Sequence, residues 1–334
     1  MKLHGDTDDP DNVIITKDDY ERYATEPPDL LTRLKNDLLT KSFLFIGFSF
    51  SDPNLELVFG QLRQWVKDSP RTHYAVFREP QRDEYRRPKQ YKYELNRWKL
   101  RLQDLGRFGI RPVIIKNYDE IPELLRQVRL RVQRRRILVS GSFADPAPWT
   151  ADRLERFCQQ LGRRIIDEEY DLANGFGVGV GSPVVAGAVE QLYRAPTTSL
   201  ERRLVLRPFP QTTPRGMSRS ALWTRYRQDL IAPAGFAVFV AGNKLDEDGR
   251  VVAANGVREE FDIAISQSKY VLPVGATGSV SAELWREVNA NFATLFPSGT
   301  PKRAFNKLGS ATSSNEELLD ALFAIIGYLR TQTT

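Results

Sequence analysis

Short apolar runs alternate with longer amphipathic stretches along most of the 334 residues, and that rhythm restricts the chain to few architectures. Runs at Phe43–Ile46, Tyr74–Phe77, Pro112–Ile115, Ile137–Ser140, Leu204–Leu206, Phe236–Val240 and Tyr270–Val274 have the length and composition of buried strands. Between them, apolar spacing of three and four predicts helices near residues 27–39, 53–66, 85–105, 119–133, 182–193, 220–231, 255–267, 279–294 and 315–330. Strands separated by helix-length segments favour parallel sheets covered by helices. The fold class read from this pattern is α/β.

A basic stretch containing Arg126, Arg129, Arg131, Arg134, Arg135 and Arg136 separates two such sets. The expected domains are therefore residues 1–133 and 134–334, two Rossmann-like units. The second reads as complete, from an apolar strand to an amphipathic helix carrying Leu318, Leu319, Leu322, Ile325, Ile326 and Leu329. The first is expected to be incomplete at its N-terminus, since it starts inside a motif without a preceding strand or glycine-rich fingerprint.

Residues 170–183 read Tyr-Asp-Leu-Ala-Asn-Gly-Phe-Gly-Val-Gly-Val-Gly-Ser-Pro. Gly175, Gly177, Gly179 and Gly181 offer no side chains to bury; they offer bare backbone that a partner can approach closely. The helix predicted from about Ser182 would turn its unpaired N–H groups and positive end toward that loop, an arrangement suited to phosphate. A tight structural turn is the other use of such glycines.

Composition narrows the function classes. Hydrophobic residues at 41% and charged residues at 27% fit a folded soluble chain. No apolar run approaches the length of a bilayer span, and Met-Lys-Leu-His-Gly-Asp is no signal segment. One cysteine, Cys158, precludes an internal disulfide and fits a reducing compartment, so a cytoplasmic location is expected. The net charge of +6 invites a nucleic-acid reading. Without RNA-binding aromatic motifs or zinc-finger spacings, charge alone does not carry it.

Several second-unit residues suit a pyrophosphate-containing ligand. Ser140-Gly141-Ser142 ends a predicted strand with two hydroxyls and a glycine able to turn donors toward an anion. Arg227 can present a planar fork to phosphate oxygens. Lys244 follows a strand and Gly242-Asn243 as a compact positive charge, and Glu259 near the next helix start could accept from ribose hydroxyls. Gly275-Ala276-Thr277-Gly278 could form a small backbone nest. Taken singly, Arg227 and Lys244 read equally as surface charges, and Glu259 as a partner of its helix N-terminus.

Two family resemblances sharpen this. Lys2-Leu3-His4-Gly5-Asp6, Val13–Tyr20, Leu44-Phe45-Ile46-Gly47-Phe48-Ser49-Phe50-Ser51-Asp52-Pro53-Asn54 and the stretch from Leu105 to Pro122 resemble, in order, the C-terminal half of bacterial sirtuin-like NAD hydrolase domains. The resemblance implies a catalytic role for His4, whose imidazole suits proton transfer near neutral pH, and NAD contacts for Gly47 and Ser49. It also implies that the dinucleotide loop and a catalytic asparagine would lie elsewhere, so this polypeptide alone is expected to hydrolyse no NAD.

Ile137–Ser142, the Gly175–Gly181 loop, Phe239–Lys244, Gly256–Phe261 and Pro273–Gly278 resemble SLOG ligand-sensing domains. A sirtuin-like domain followed by SLOG is similar to the Thoeris antiphage NAD hydrolase effectors. The likeness implies an activating ligand, a cyclic ADP-ribose isomer made by a TIR-domain partner, bound by Ser140, Gly141, Ser142, Gly177, Gly179, Gly181, Arg227, Lys244, Glu259, Gly275 and Thr277. It further implies NAD as substrate, no metal, and a homo-oligomer. Enzymatic relatives of the fold suggest a nucleotide N-glycosidase using Glu259 or Glu283 as the alternative. Gly278 and Ser279 interrupt the motif those enzymes carry. A stand-alone nucleotide sensor is a further alternative.

Overall fold

The structure is a computed structural model describing residues 29–48, 71–194, 200–210 and 212–332. The chain divides into two compact units, residues 1–124 and 125–334.

In the first unit, helix α1 (Asp29–Thr40) leads to strand β1 (Leu44–Phe45), followed by β2 (His73–Arg78), α2 (Pro88–Leu105) and β3 (Ile110–Ile115). The three strands form a parallel sheet in the order β1-β2-β3. Leu34 and Leu38 of α1, with Leu102 and Leu105 of α2, bury against Ala75, Phe77 and Ile110. Helix α3 (Glu120–Gln133) continues past the division at residue 124. The helix expected at 53–66 lies outside the described residues.

The second unit runs β4 (Arg136–Ser142), α4 (Ala151–Asp167), β5 (Asp171–Asn174), α5 (Gly181–Arg194), α6 (Leu200–Arg203), β6 (Leu204–Leu206), α7 (Arg219–Ile231), β7 (Phe236–Ala241), β8 (Asn243–Leu245), β9 (Val251–Ala253), α8 (Asn255–Ser266), β10 (Tyr270–Val274), α9 (Ser279–Ala290), α10 (Phe292–Leu295), α11 (Lys302–Lys307) and α12 (Asn315–Thr331). Among the described residues, five strands form a parallel sheet in the order β10-β7-β4-β5-β6. Every residue of β7 is buried, as expected of a central parallel strand covered on both faces. After β4 the chain builds outward through β5 and β6, then returns to the other side of β4 for β7 and β10. The crossovers therefore diverge above the carboxyl ends of β4 and β7, leaving a crevice there.

All seven expected strands are present. Helix α4 and strand β5 are not in the sequence reading. Leu154, Phe157, Cys158, Leu161 and Ile165 on α4 are all fully buried, and Thr150 caps the helix by accepting from the Arg153 amide. Charged residues between those apolar positions mask the stripe, and β5 is a four-residue strand with polar ends. The stretch expected as one helix over 279–294 breaks at Asn291. Of the basic run, Arg134 is buried, donates to the Gln332 carbonyl and lies over the Tyr270 ring at 5.6 Å. Arg136 pairs with Asp171 at 3.6 Å. These two arginines are structural.

Helices α4 and α5 pack backbone to backbone. A Cβ on Gly162 would lie 1.9 Å from the Val184 carbonyl oxygen, and one on Gly187 would lie 1.9 Å from that of Gln159. Gly162→Ala must therefore push two rigid helices apart. We expect a loss of about 1–3 kcal/mol, read as a lowered midpoint in urea unfolding; an unchanged midpoint would contradict this packing.

Candidate functional site

The crevice between β4 and β7 holds a cleft of about 260 Å³. Its floor is the end of β4, residues Ser140, Gly141 and Ser142, and one side is formed by Gly175, Gly177 and Val178. Phe209, Trp223 and Arg227 form another wall, with Lys244, Ala254, Gly256, Val257 and Glu260 completing the rim.

Bare backbone is used here mainly by the protein itself. A Cβ on Gly141 would lie 2.2 Å from the Val240 carbonyl oxygen of the paired strand, and one on Gly177 would lie 1.9 Å from that of Gly141. Gly179 has φ +79 and sits beneath the Phe143 ring, whose nearest atom is 2.7 Å from a would-be Cβ. A Cβ on Gly181, which starts α5, would lie 2.5 Å from the Phe176 backbone, and one on Gly175 would lie 2.9 Å from the Phe209 ring. The expectation that these glycines serve no packing role is corrected: all four are sites of close internal approach. Gly177 also lines the cleft, whereas Gly179 and Gly181 do not. The first turn of α8, through Gly256 and Val257, borders the cleft instead of α5.

Two amides fix the loops around it. Asn174 is buried; its Nδ2 donates to the Val139 carbonyl at 3.0 Å, and its Oδ1 accepts from the Phe176 amide at 2.7 Å. Asn243 accepts from the amides of Ala144 and Asp145 at 2.8 and 2.9 Å and donates to the Asp145 carbonyl at 2.8 Å. Lys244 follows directly, on the antiparallel pair β8–β9. Its side chain is exposed and has no ion-pair partner among the described residues. Ser142 donates to the Asn243 carbonyl at 2.9 Å.

Arg227 is 7% exposed. Its Nη1 is 2.7 Å from Glu259 Oε2, its Nε is 3.6 Å from Glu260 Oε1, and its guanidinium lies 5.0 and 5.7 Å from the Phe209 and Trp223 ring centres. Gly256 makes room for it, since a Cβ there would be 2.6 Å from Arg227 Nη2. Thr224 donates to the other Glu259 oxygen. Burial pushes the Glu260 carboxyl above the ordinary carboxylate range, against the pull of Ser140 and Arg227. Buried Ser140 Oγ and Arg227 Nε make no hydrogen bond of ordinary geometry. Such groups are costly unless something completes them.

The sequence-predicted residues thus separate. Ser140, Gly141, Ser142, Gly177, Arg227 and Lys244 line one cleft, with Glu259 behind Arg227. Gly275 and Thr277 do not line it. Gly275 packs under Trp285, 2.7 Å from a would-be Cβ; Thr277 is fully buried, donates to the Val274 carbonyl at 2.6 Å and accepts from the Ala241 amide at 2.8 Å. Glu283 is exposed on α9, outside the cleft lining. Phe209 and Trp223 were not singled out from sequence; Gly256 and Glu260 lie within the Gly256–Phe261 stretch that carries the resemblance but were not named as ligand contacts. In the first unit Gly47 lies two residues after β1 with φ +69, and no described residue beyond its chain neighbours comes within 4 Å of a would-be Cβ there. His4 and Ser49 lie outside the described residues. Among the described residues there is no cluster suited to a metal ion and no helix long and apolar enough to cross a membrane.

Residues 120–329 match the Sir2- and TIR-associating SLOG family, and residues 1–102 match a SIR2-like domain. The NAD(+) hydrolase ThsA of Bacillus cereus (strain MSX-D12) is 36% identical over 330 residues, covering 98% of this chain and 68% of the relative. The proteins of the same name from Cytobacillus dafuensis and Acinetobacter baumannii (strain 532279) are 36% and 33% identical, with 98% and 97% of this chain and 68% and 69% of the relatives covered.

Asn174→Ala removes the link that starts the glycine-rich loop. We expect a loss of about 1–3 kcal/mol in unfolding free energy and faster hydrogen exchange at the Phe176 amide. Unaltered exchange there would show that the loop holds itself.

Proposed function

The chain belongs to the Sir2- and TIR-associating SLOG family, with the SIR2-like and SLOG domains of a ThsA-like NAD+ hydrolase, and we propose that the cleft above β4 and β7 is its signal-sensing site. The ligand is a cyclic ADP-ribose-type nucleotide made by a TIR-domain partner. Binding switches on NAD+ hydrolysis in the sirtuin-like domain, within a homo-oligomer and in the cytoplasm, as a defence against phage. In the first unit, where a dinucleotide loop and a catalytic asparagine are supplied to it, His4 acts in catalysis, and Gly47 and Ser49 contact NAD.

The observation that carries this reading is one cleft lined by Ser140, Arg227 and the exposed Lys244, in which Ser140 Oγ and Arg227 Nε are buried without a hydrogen bond of ordinary geometry. A diphosphate offers acceptors to all three, and Phe209 and Trp223 supply flat apolar surface for a base or ribose. A diphosphate needs such donors because each charge-assisted bond contributes about 1.5–3 kcal/mol against an association cost of roughly 4–15 kcal/mol. The N-glycosidase alternative draws no support from the geometry. Glu259 is engaged by Thr224 and Arg227, and Glu283 is outside the cleft.

Titration calorimetry with cyclic ADP-ribose isomers tests this. At least one isomer is expected to bind the wild type, and Lys244→Ala, which disturbs no buried pair, is expected to weaken it roughly 10- to 100-fold. Absence of binding by every isomer, or an unaffected Lys244→Ala variant, would remove the assignment.

A further inference from the structure

Two carboxyl groups converge on one guanidinium at this site. Glu259 meets Arg227 Nη1 at 2.7 Å, and Glu260 lies 3.6 Å from Nε, although only Glu259 makes a hydrogen bond to the arginine at normal length. The two acids are adjacent on α8, yet their surroundings differ. Glu259 is about one-third exposed, whereas Glu260 is 9% exposed, faces Ser140 and lines the cleft itself.

The charge balance makes this unusual for an anion site. With both acids ionised, Glu259 and Glu260 cancel Arg227 and Lys244, and an entering diphosphate meets a neutral cleft with a carboxylate against its main cation. With Glu260 protonated, the same cleft carries one net positive charge, and the carboxylic acid can donate a hydrogen bond. The charged and titratable groups facing Glu260 are Arg227 from α7 and its own neighbour Glu259, with Lys244 of β8 on the same cleft; Ser140 of β4 faces it as a neutral hydroxyl. Among the described residues no histidine lines the cleft.

Building on the anionic-nucleotide reading above, we propose that Glu260 is a positioning residue for Arg227 that takes up a proton when an anionic ligand enters the cleft. Bound negative charge disfavours the ionised carboxyl. The protonated cleft therefore binds more tightly, and affinity falls as pH rises through the Glu260 titration of the free protein. Protonation also frees Arg227 from one of its two acids, so the guanidinium can turn toward phosphate oxygens while Glu259 keeps it anchored.

The experiment is calorimetry of the full chain with the cyclic ADP-ribose isomer that binds best, from about pH 5.5 to about pH 8.5 in buffers of differing ionisation enthalpy, where linkage allows up to tenfold loss of affinity per pH unit. Wild type is expected to weaken with rising pH and to take up close to one proton on binding near the midpoint. Glu260→Gln is expected to bind at the wild type's low-pH affinity with a flat profile; a merely structural Glu260 would leave the slope in place. Carboxyl ¹³C NMR of the unliganded wild type supplies a readout that needs no variant. Titration of Glu260 near the reference value of about 4.3 would overturn the proposal. Binding without pH dependence or proton uptake overturns it while leaving the sensing site intact; failure of every isomer at every pH sinks both.

Discussion

The floor of the cleft depends on a stretch of backbone with no room for a side chain, Gly141. Gly141 continues the ladder with Val240 where a Cβ would lie 2.2 Å from a carbonyl oxygen, and its own carbonyl occupies the place a Cβ on Gly177 would take. Gly141 thus sits between the Val240 backbone on one side and the loop after β5 on the other. The crossovers then diverge to opposite sides of β4, and the space between them has walls from separate elements. A doubly wound sheet makes such a crevice from topology alone. Here the glycines determine how deep it is and how near the β4 backbone comes to its surface.

Arg227 gives that crevice its chemistry. Burying a cation with carboxylates is weak evidence of stabilisation, because desolvation can match the attraction gained. The arrangement around Arg227 is also incomplete, with Nε at 3.6 Å from its second acid and two aromatic rings beneath the guanidinium. A purely structural ion pair would be expected to close these gaps. Lys244 has the opposite character, exposed and without an ion-pair partner among the described residues, so an anion in the cleft would meet one cation open to solvent and another already held by carboxylates.

Much of this was legible beforehand. Each expected strand formed because long apolar runs such as Phe236–Val240 have few alternatives to a covered parallel strand. Ser140 to Ser142, Arg227 and Lys244 converge because strand ends and the elements after them must meet at the switch point. What failed did so for local reasons. The α4 stripe of Leu154, Phe157, Cys158, Leu161 and Ile165 is diluted by charge, and β5 is too short to show a period. Gly179, Gly181, Gly275 and Thr277 carry the signature of ligand contacts but meet Phe143, Phe176, Trp285 and the Val274 carbonyl. Sequence tells that backbone must be bare, not whether a ligand or the chain's own side chains will press on it. Glu260 was not set apart from Glu259 because adjacent acids read as one patch until helix geometry separates the more buried one from the more exposed.

The Asn243 amide makes the two sides of the crevice mechanically unequal. Shifting the Lys244 strand would break three hydrogen bonds to residues 144 and 145, with nothing from an incoming nucleotide to replace them. Turning Arg227 gives up carboxylate contacts that phosphate oxygens can replace almost in kind. In the proposed sensor the cleft would therefore have an anvil and a hammer: β8 the fixed surface, and the α7–α8 pair the part on which a ligand could do work.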